Sequence, residues 1–264
     1  MSILSSFFVL LFYLSLLVFF VGLFFKVKQY AKTEQPLKIP VAPAPLTKSK
    51  VYFRMFREVI FFESLFKSSK WTWIFSWLFH FGLLLVLIRH IRYFYPGDIP
   101  EILLLTQPFK YAAFAMLVGV LGLLIRRITV ERVRYISSPS DYLLLILLII
   151  IVISGSVMTF TTNHTNIMMV KDFASGLITF NFSSMPSEIN FIVHLLFVFI
   201  LILIFPFSKL LHAPGIFFSP TRNQVDDSRK NRHISNWALV QETNKEIVLG
   251  ETLGTNITDV KKDK

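Results

Sequence analysis

At 264 residues, with 54% hydrophobic and only 16% charged side chains, the chain carries too little charge to cover a soluble globule of its size. It has no cysteine, which excludes disulfides, a thiolate zinc site and a protein-held iron–sulfur cluster. The net charge of +11 would suit a nucleic-acid binder, but its placement along the chain points elsewhere.

The apolar residues fall into five runs read as membrane spans; the first, at about 1.5 Å per residue, crosses a hydrocarbon core of roughly 30 Å. The first, about 3–25, contains no charge. A cleaved signal peptide would want basic residues before the run and a small-residue site after it. Nothing basic precedes Ile3, and Lys26 and Lys28 follow the run, so a retained span is expected. Residues 26–70 are too polar to span. Pro36, Pro40, Pro43 and Pro45 make a stiff connector. The stretch of about 52–66 then sets Arg54, Arg57 and Glu58 among aromatics at helical spacing, as a helix lying in the inner interface would; a solvated loop is the alternative.

The second span is expected over about 71–93. Trp71, Trp73 and Trp77 lie at its start and Tyr93 and Tyr95 at its end, as in an aromatic belt, and Pro96-Gly97 stops it. The third, about 109–125, is closed by Arg126 and Arg127. The fourth, about 142–160, follows the helix-start signal Ser137-Ser138-Pro139-Ser140-Asp141. The fifth covers about 189–211, with Pro206 as an internal kink. The expected division is a five-helix transmembrane domain over 1–213 and a polar cytoplasmic tail over 214–264, too poor in apolar residues to build a core.

The charge now has an explanation. Ten Lys and Arg lie in 26–70, four in 126–140 and nine in 209–264, leaving Arg89, Arg92, Lys110 and Lys171 elsewhere. Cytoplasmic loops carry the basic excess, which predicts an outside amino terminus and a cytoplasmic carboxyl terminus. The excess of positive charge is membrane topology, and no nucleic-acid partner is implied.

Four of the six histidines lie in or at the ends of two predicted spans: His80 and His90 on the second, His194 and His212 on the fifth. Ionisable side chains at membrane depth are costly and mark functional sites by default; a neutral imidazole bonded to a neighbouring helix is the bland reading for any one of them. Eighteen residues is five helical turns, so His194 and His212 are expected on one side of one helix. Spans two and five run in opposite directions, which pairs His80 with His212 and His90 with His194. Two such pairs at two depths suit two stacked haems held by paired imidazoles between helices two and five. The axial separations, about 15 Å on one span and about 27 Å on the other, differ, so tilt or the Pro206 kink must absorb the difference.

Other metal chemistries lack their residues. A di-iron carboxylate site needs inward Asp or Glu, and the expected span interiors contain neither; His-Glu-x-x-His is also missing. Haem needs only neutral imidazoles and an apolar pocket. Its propionates need cations: Arg89 and Arg92 flank His90, while Arg126, Arg127 and Lys209 are available to the inner haem. For Arg89 and Arg92 the alternative is snorkelling to outer headgroups. His164, in a loop, and His233, in the tail, are not assigned a role.

Histidines ten apart on span two and eighteen apart on span five resemble the gamma subunit of respiratory nitrate reductase, a di-haem cytochrome b. They also resemble its relatives in the dissimilatory sulfite-reduction-associated membrane complex and in membrane-bound heterodisulfide reductase. Lys38-Ile39-Pro40 through Pro45, Phe66-Lys67, Trp71-Thr72-Trp73 and the run from His212-Ala213-Pro214-Gly215 to Asn223-Gln224 look most like the sulfite-reduction branch. The resemblance covers roughly 1–237.

It implies two haem b groups and a quinone, menaquinone, exchanging electrons near the outer haem. It further implies an inner haem connected to a cytoplasmic iron–sulfur subunit of an anaerobic respiratory or sulfur-metabolism complex, in a bacterial or archaeal cell membrane. A lysine past the outer end of span two takes part in the quinol site of that family, and Lys110 is the matching position. An ordinary interfacial lysine is the alternative. The family's glycine before the outer ligand is Arg89 here. A second class of function, a haem-free membrane anchor for a cytoplasmic redox subunit, would keep the spans and leave the histidines as packing residues. A transporter is disfavoured by the lack of span-interior acids and of an inverted repeat.

Overall fold

Apolar runs of this length satisfy their own backbone hydrogen bonds only as helices when water is absent. The computed structural model describes residues 2–33, 40, 43–95, 105–161, 165–219, 221–226, 240, 241, 243–245, 247 and 248, and no strand occurs among them. Pro36, the Pro96-Gly97 break, His164 and His233 lie outside the described residues. Five helical stretches are long and apolar enough to cross a membrane: Ile3–Lys32, Lys70–Phe94, Gln107–Thr129, Pro139–Phe160 and Ile189–Phe207.

In chain order the helices are α1 (Ile3–Lys32), α2 (Lys48–Phe61), α3 (Glu63–Ser68), α4 (Lys70–Phe94) and α5 (Ala112–Thr129). There follow α6 (Glu131–Tyr135), α7 (Pro139–Phe160), α8 (Ile167–Thr179), α9 (Ile189–Ile204) and α10 (His212–Gly215). A 3-10 turn, Gln107–Tyr111, leads into α5, with a proline in its first turn where a missing N–H does no harm. The start of α7 is fixed the same way by Pro139, and Ser138 donates its backbone N–H to Asp141 Oδ2 at 2.9 Å.

The chain forms two compact units, Met1–Ala31 with Arg57–Gly215, and Lys32–Phe56 with Ile216–Lys264. In the second, Asp226 N–H donates to Pro45 O at 2.9 Å. The first unit holds all five spanning stretches. One of its cores joins Phe79 of α4, Met116 and Val120 of α5, and Leu148 and Val152 of α7. The other joins Phe8 of α1, Phe173 and Leu177 of α8, Met185, and Phe191 and Phe199 of α9. α4 and α5 touch backbone to backbone: a Cβ on Gly119 would lie 2.6 Å from Phe79 N and 2.8 Å from Phe75 O. Small residues that let helices approach this closely replace the missing hydrophobic drive between helices in lipid. Leu14, Leu17, Phe20, Leu84, Leu87, Val118 and Ile146 are all exposed along the outsides of these helices, a surface that needs a bilayer to cover it.

The helix expected over about 52–66 is two helices. Phe62 breaks it with φ 51° and ψ 45°, an unusual left-handed conformation for an aromatic residue. The break is pinned on both sides. Glu58 accepts from Ser64 N–H at 3.1 Å and from the Ser64 hydroxyl. Glu63 pairs with Arg57 at 2.8 Å and Lys67 at 2.6 Å. The Trp73 indole N–H donates to Phe61 O at 2.7 Å, tying the junction to α4.

Candidate functional site

His90 lies in the last part of α4 and His194 in the second turn of α9. The His90 Nδ1–H donates to Val86 O, one turn earlier, at 2.7 Å. The His194 Nδ1–H is held across the helix interface by α7, from Ile151 O at 3.0 Å and Ser154 Oγ at 3.1 Å. Gly155 makes room for this ring, since a Cβ there would lie 3.0 Å from His194 Cε1. The two imidazole centroids are 6.3 Å apart and their planes differ by 17°.

His80, ten residues back along α4, donates from Nδ1 to Ser76 O at 2.7 Å. Its ring is flanked edge-on by Phe62 and Phe79, each with a centroid distance of 5.0 Å. His212 donates from Nδ1 to Lys209 O at 3.0 Å. The centroids of His80 and His212 are 5.9 Å apart, with planes at 89°.

The single continuous helix expected to carry both His194 and His212 does not exist. α9 ends at Ile204, a 3-10 turn over Phe205–Phe207 contains Pro206, and Ser208 is extended with φ −105° and ψ 171°. A second 3-10 turn, Lys209–Leu211, precedes α10. Proline at 206 cannot donate to the preceding turn, and Ser208 Oγ caps the next one by accepting from Leu210 N–H at 3.2 Å. Pro206 is buried against Gly22 of α1. The five-turn count from His194 to His212 therefore fails.

A carbonyl oxygen only accepts, so each of the four Nδ1 atoms carries a hydrogen, and in a neutral imidazole that leaves Nε2 as the nitrogen with the lone pair. Donation of the second ring N–H to a carbonyl is how ligating imidazoles are oriented. A ligating nitrogen sits about 2 Å from its metal. With the ring centre a further ~1 Å behind, two imidazoles sharing one iron place their centroids roughly 6 Å apart. Both pairs have that spacing. Among the described residues no three or more His, Cys, Asp or Glu side chains converge on one point. Two imidazoles suit a metal that brings its own ligands, as haem iron does with four porphyrin nitrogens. The residues present fit that group.

The cations separate. Arg89 Nη1 donates to Gln107 O and Oε1, both at 3.2 Å, and to Thr106 O at 3.4 Å, so it holds the turn that carries Lys110. Arg92 is buried, lies over the Tyr93 ring at 4.8 Å, and keeps an Nε with no hydrogen-bond partner among the described residues. Lys110 Nζ stands over the rings of Tyr111 at 5.1 Å and Phe160 at 5.9 Å. At the opposite end of α4's two histidines, Arg127 and Lys209 are both engaged by Asp141, at 3.1 Å and 2.6 Å. Arg126 is half-buried in the last turn of α5. Ser154, Gly155 and Phe62 carry no sequence signal as site residues, and Asp141 carries only that of a helix start.

Five apolar helices and two close imidazole pairs define a class: helical, multi-pass membrane proteins with histidines paired between α4 and the last span or the segment after it. Residues 63–225, which include all four histidines, match the nitrate reductase gamma subunit family. The Hdr-like menaquinol oxidoreductase cytochrome b-like subunit of Archaeoglobus fulgidus is 36% identical, over 85% of this chain and 81% of that protein. The protein of the same description from Archaeoglobus profundus is 30% identical, over 85% and 80%. The chain belongs to the nitrate reductase gamma subunit family and is a multi-pass membrane protein.

Proposed function

We propose that this chain is the di-haem b-type cytochrome subunit of a membrane redox complex. It moves electrons across the bilayer between menaquinone, near the outer face, and an iron–sulfur subunit at the cytoplasmic face. The observation that carries this is the pair of imidazole couples, with centroids 6.3 Å and 5.9 Å apart and all four Nδ1 atoms engaged by carbonyls. The description of the two relatives as menaquinol oxidoreductase subunits supports the electron-transfer role and the quinone. The basic excess in 26–70, 126–140 and 209–264 supports an outside amino terminus and a cytoplasmic tail.

In this reading His90 and His194 hold the outer haem, and His80 and His212 the inner one. Haem supplies a one-electron iron couple at each of two depths, chemistry that belongs to the cofactor. The chain's own residues bind and orient. The backbone carbonyls of Ser76, Val86, Ile151 and Lys209 fix the tautomers, leaving Nε2 to ligate. Phe62 and Phe79 exclude water from His80. Arg92, buried with an Nε that has no hydrogen-bond partner among the described residues, is suited to a propionate. Lys110 presents an ammonium to a quinone carbonyl, on a turn held by Arg89.

The test is the visible spectrum of the purified full chain. Reduced b-type α and Soret bands and a pyridine haemochrome count of about two haems per chain are expected. A pure, folded chain with no bands would make it a haem-free anchor.

A further inference from the structure

We infer that Asp141 is a positioning residue for the His80–His212 pair, acting through Lys209. His212 lies outside the regular helix. α9 has ended, and His212 follows two three-residue 3-10 turns separated by extended Ser208. Turns that short do not hold a fixed direction by their own hydrogen bonds. Something outside the segment must place it.

The His212 Nδ1–H is received by Lys209 O, and the same residue's ammonium lies 2.6 Å from Asp141 Oδ2. The two ends of that ion pair differ in mobility. The Lys209 side chain is 66% exposed, whereas that of Asp141 is 5% exposed. A buried carboxylate is tolerated only when its lone pairs are filled. Asp141 Oδ2 also accepts from Ser138 N–H at 2.9 Å and pairs with Arg127 at 3.1 Å. Arg127 is itself fixed, donating to Ser137 Oγ at 2.8 Å while its carbonyl accepts from the Tyr142 hydroxyl at 3.2 Å. The ends of α5 and α7 thus form a rigid mount, and Lys209 is the arm by which the mount holds the carbonyl that sets the His212 ring.

The plainer role for Asp141 is to cap α7 and tie it to α5. That role would affect the whole bundle, whereas positioning of His212 affects one haem. The inference rests on the di-haem reading above.

The experiment uses the full chain in detergent, with haem content, redox titration and low-spin EPR compared against His212→Ala and His194→Ala as references for each haem. Asp141→Asn and Lys209→Met should each shift the potential and EPR signal of the haem lost in His212→Ala, or lower haem content from about two towards about one per chain. The other haem should keep its signal. Asp141→Glu should restore the wild-type pattern, and Asp141→Asn with Lys209→Met should be no worse than the more severe single variant. Equal loss of both haems, no change in either, or additive effects in the double variant would overturn the inference alone. A wild-type chain without haem would overturn the di-haem reading and the inference with it.

Discussion

Gly155 of α7 presses on the His194 imidazole: a Cβ there would lie 3.0 Å from Cε1 and 3.4 Å from Nδ1, beside the 3.1 Å hydrogen bond from Nδ1 to Ser154 Oγ. The ring therefore has a fixed wall on one side and a fixed acceptor on the other. Gly155→Val should displace the ring at an overpacking cost of about 1–3 kcal/mol. Haem content should fall by about one per chain, with the signal of the His80–His212 site retained, as read by pyridine haemochrome and EPR.

Direct removal of a ligand should be as selective. His194→Ala is expected to abolish the outer haem and keep the inner one, and His212→Ala the reverse. Redox titration of membranes resolves the two. Equal loss of both in each variant would break the assignment of the pairs.

The ring planes give a spectroscopic prediction. Imidazoles at 89° leave the iron dxz and dyz orbitals close in energy, whereas planes within 17° of parallel split them. The oxidised protein should show two distinct low-spin signals. The more axial one, with the larger maximal g value, should vanish in His212→Ala.

Lys110 pairs with aromatic rings and stands on a turn anchored to α4 by Arg89. A hydrogen bond from a charged donor contributes about 1.5–3 kcal/mol, which corresponds to roughly tenfold or more in rate. Lys110→Ala should slow menaquinol-dependent haem reduction by that order with haem content intact. An unchanged rate in stopped-flow reduction would make Lys110 an interfacial lysine.

Gly119 sets the approach of α5 to α4. Gly119→Val would drive its side chain into the Phe75 and Phe79 backbone and push α4 outward. We expect a loss of about 1–3 kcal/mol, seen as a lower thermal midpoint in detergent.

The five spans are legible in the sequence because each is an uninterrupted apolar run with charged or aromatic ends, a signal that needs no tertiary information. The juxtaposition of His80 with His212 and His90 with His194 is legible for a related reason: helices that alternate in direction place equal depths together. What lies beyond the sequence is contact between distant segments. Pro206 signals a kink, but the extended Ser208 after it depends on packing such as that of Pro206 on Gly22. Arg89 and Arg127 read as partners for propionates; the structure adds contacts to Gln107 and Asp141 that the sequence does not signal, partners supplied by the chain's return from elsewhere. Ser154 and Gly155 are ordinary residues of an apolar helix until α9 is laid against them.

Each imidazole couple joins α4, made early, to a residue of α9 or the segment after it, made late. During synthesis the second span enters the bilayer with two unsatisfied ring nitrogens, and these wait until three more spans have been inserted and turned back. On the di-haem reading, cofactor loading would be a late event in biogenesis, performed on a nearly complete bundle rather than on the emerging chain.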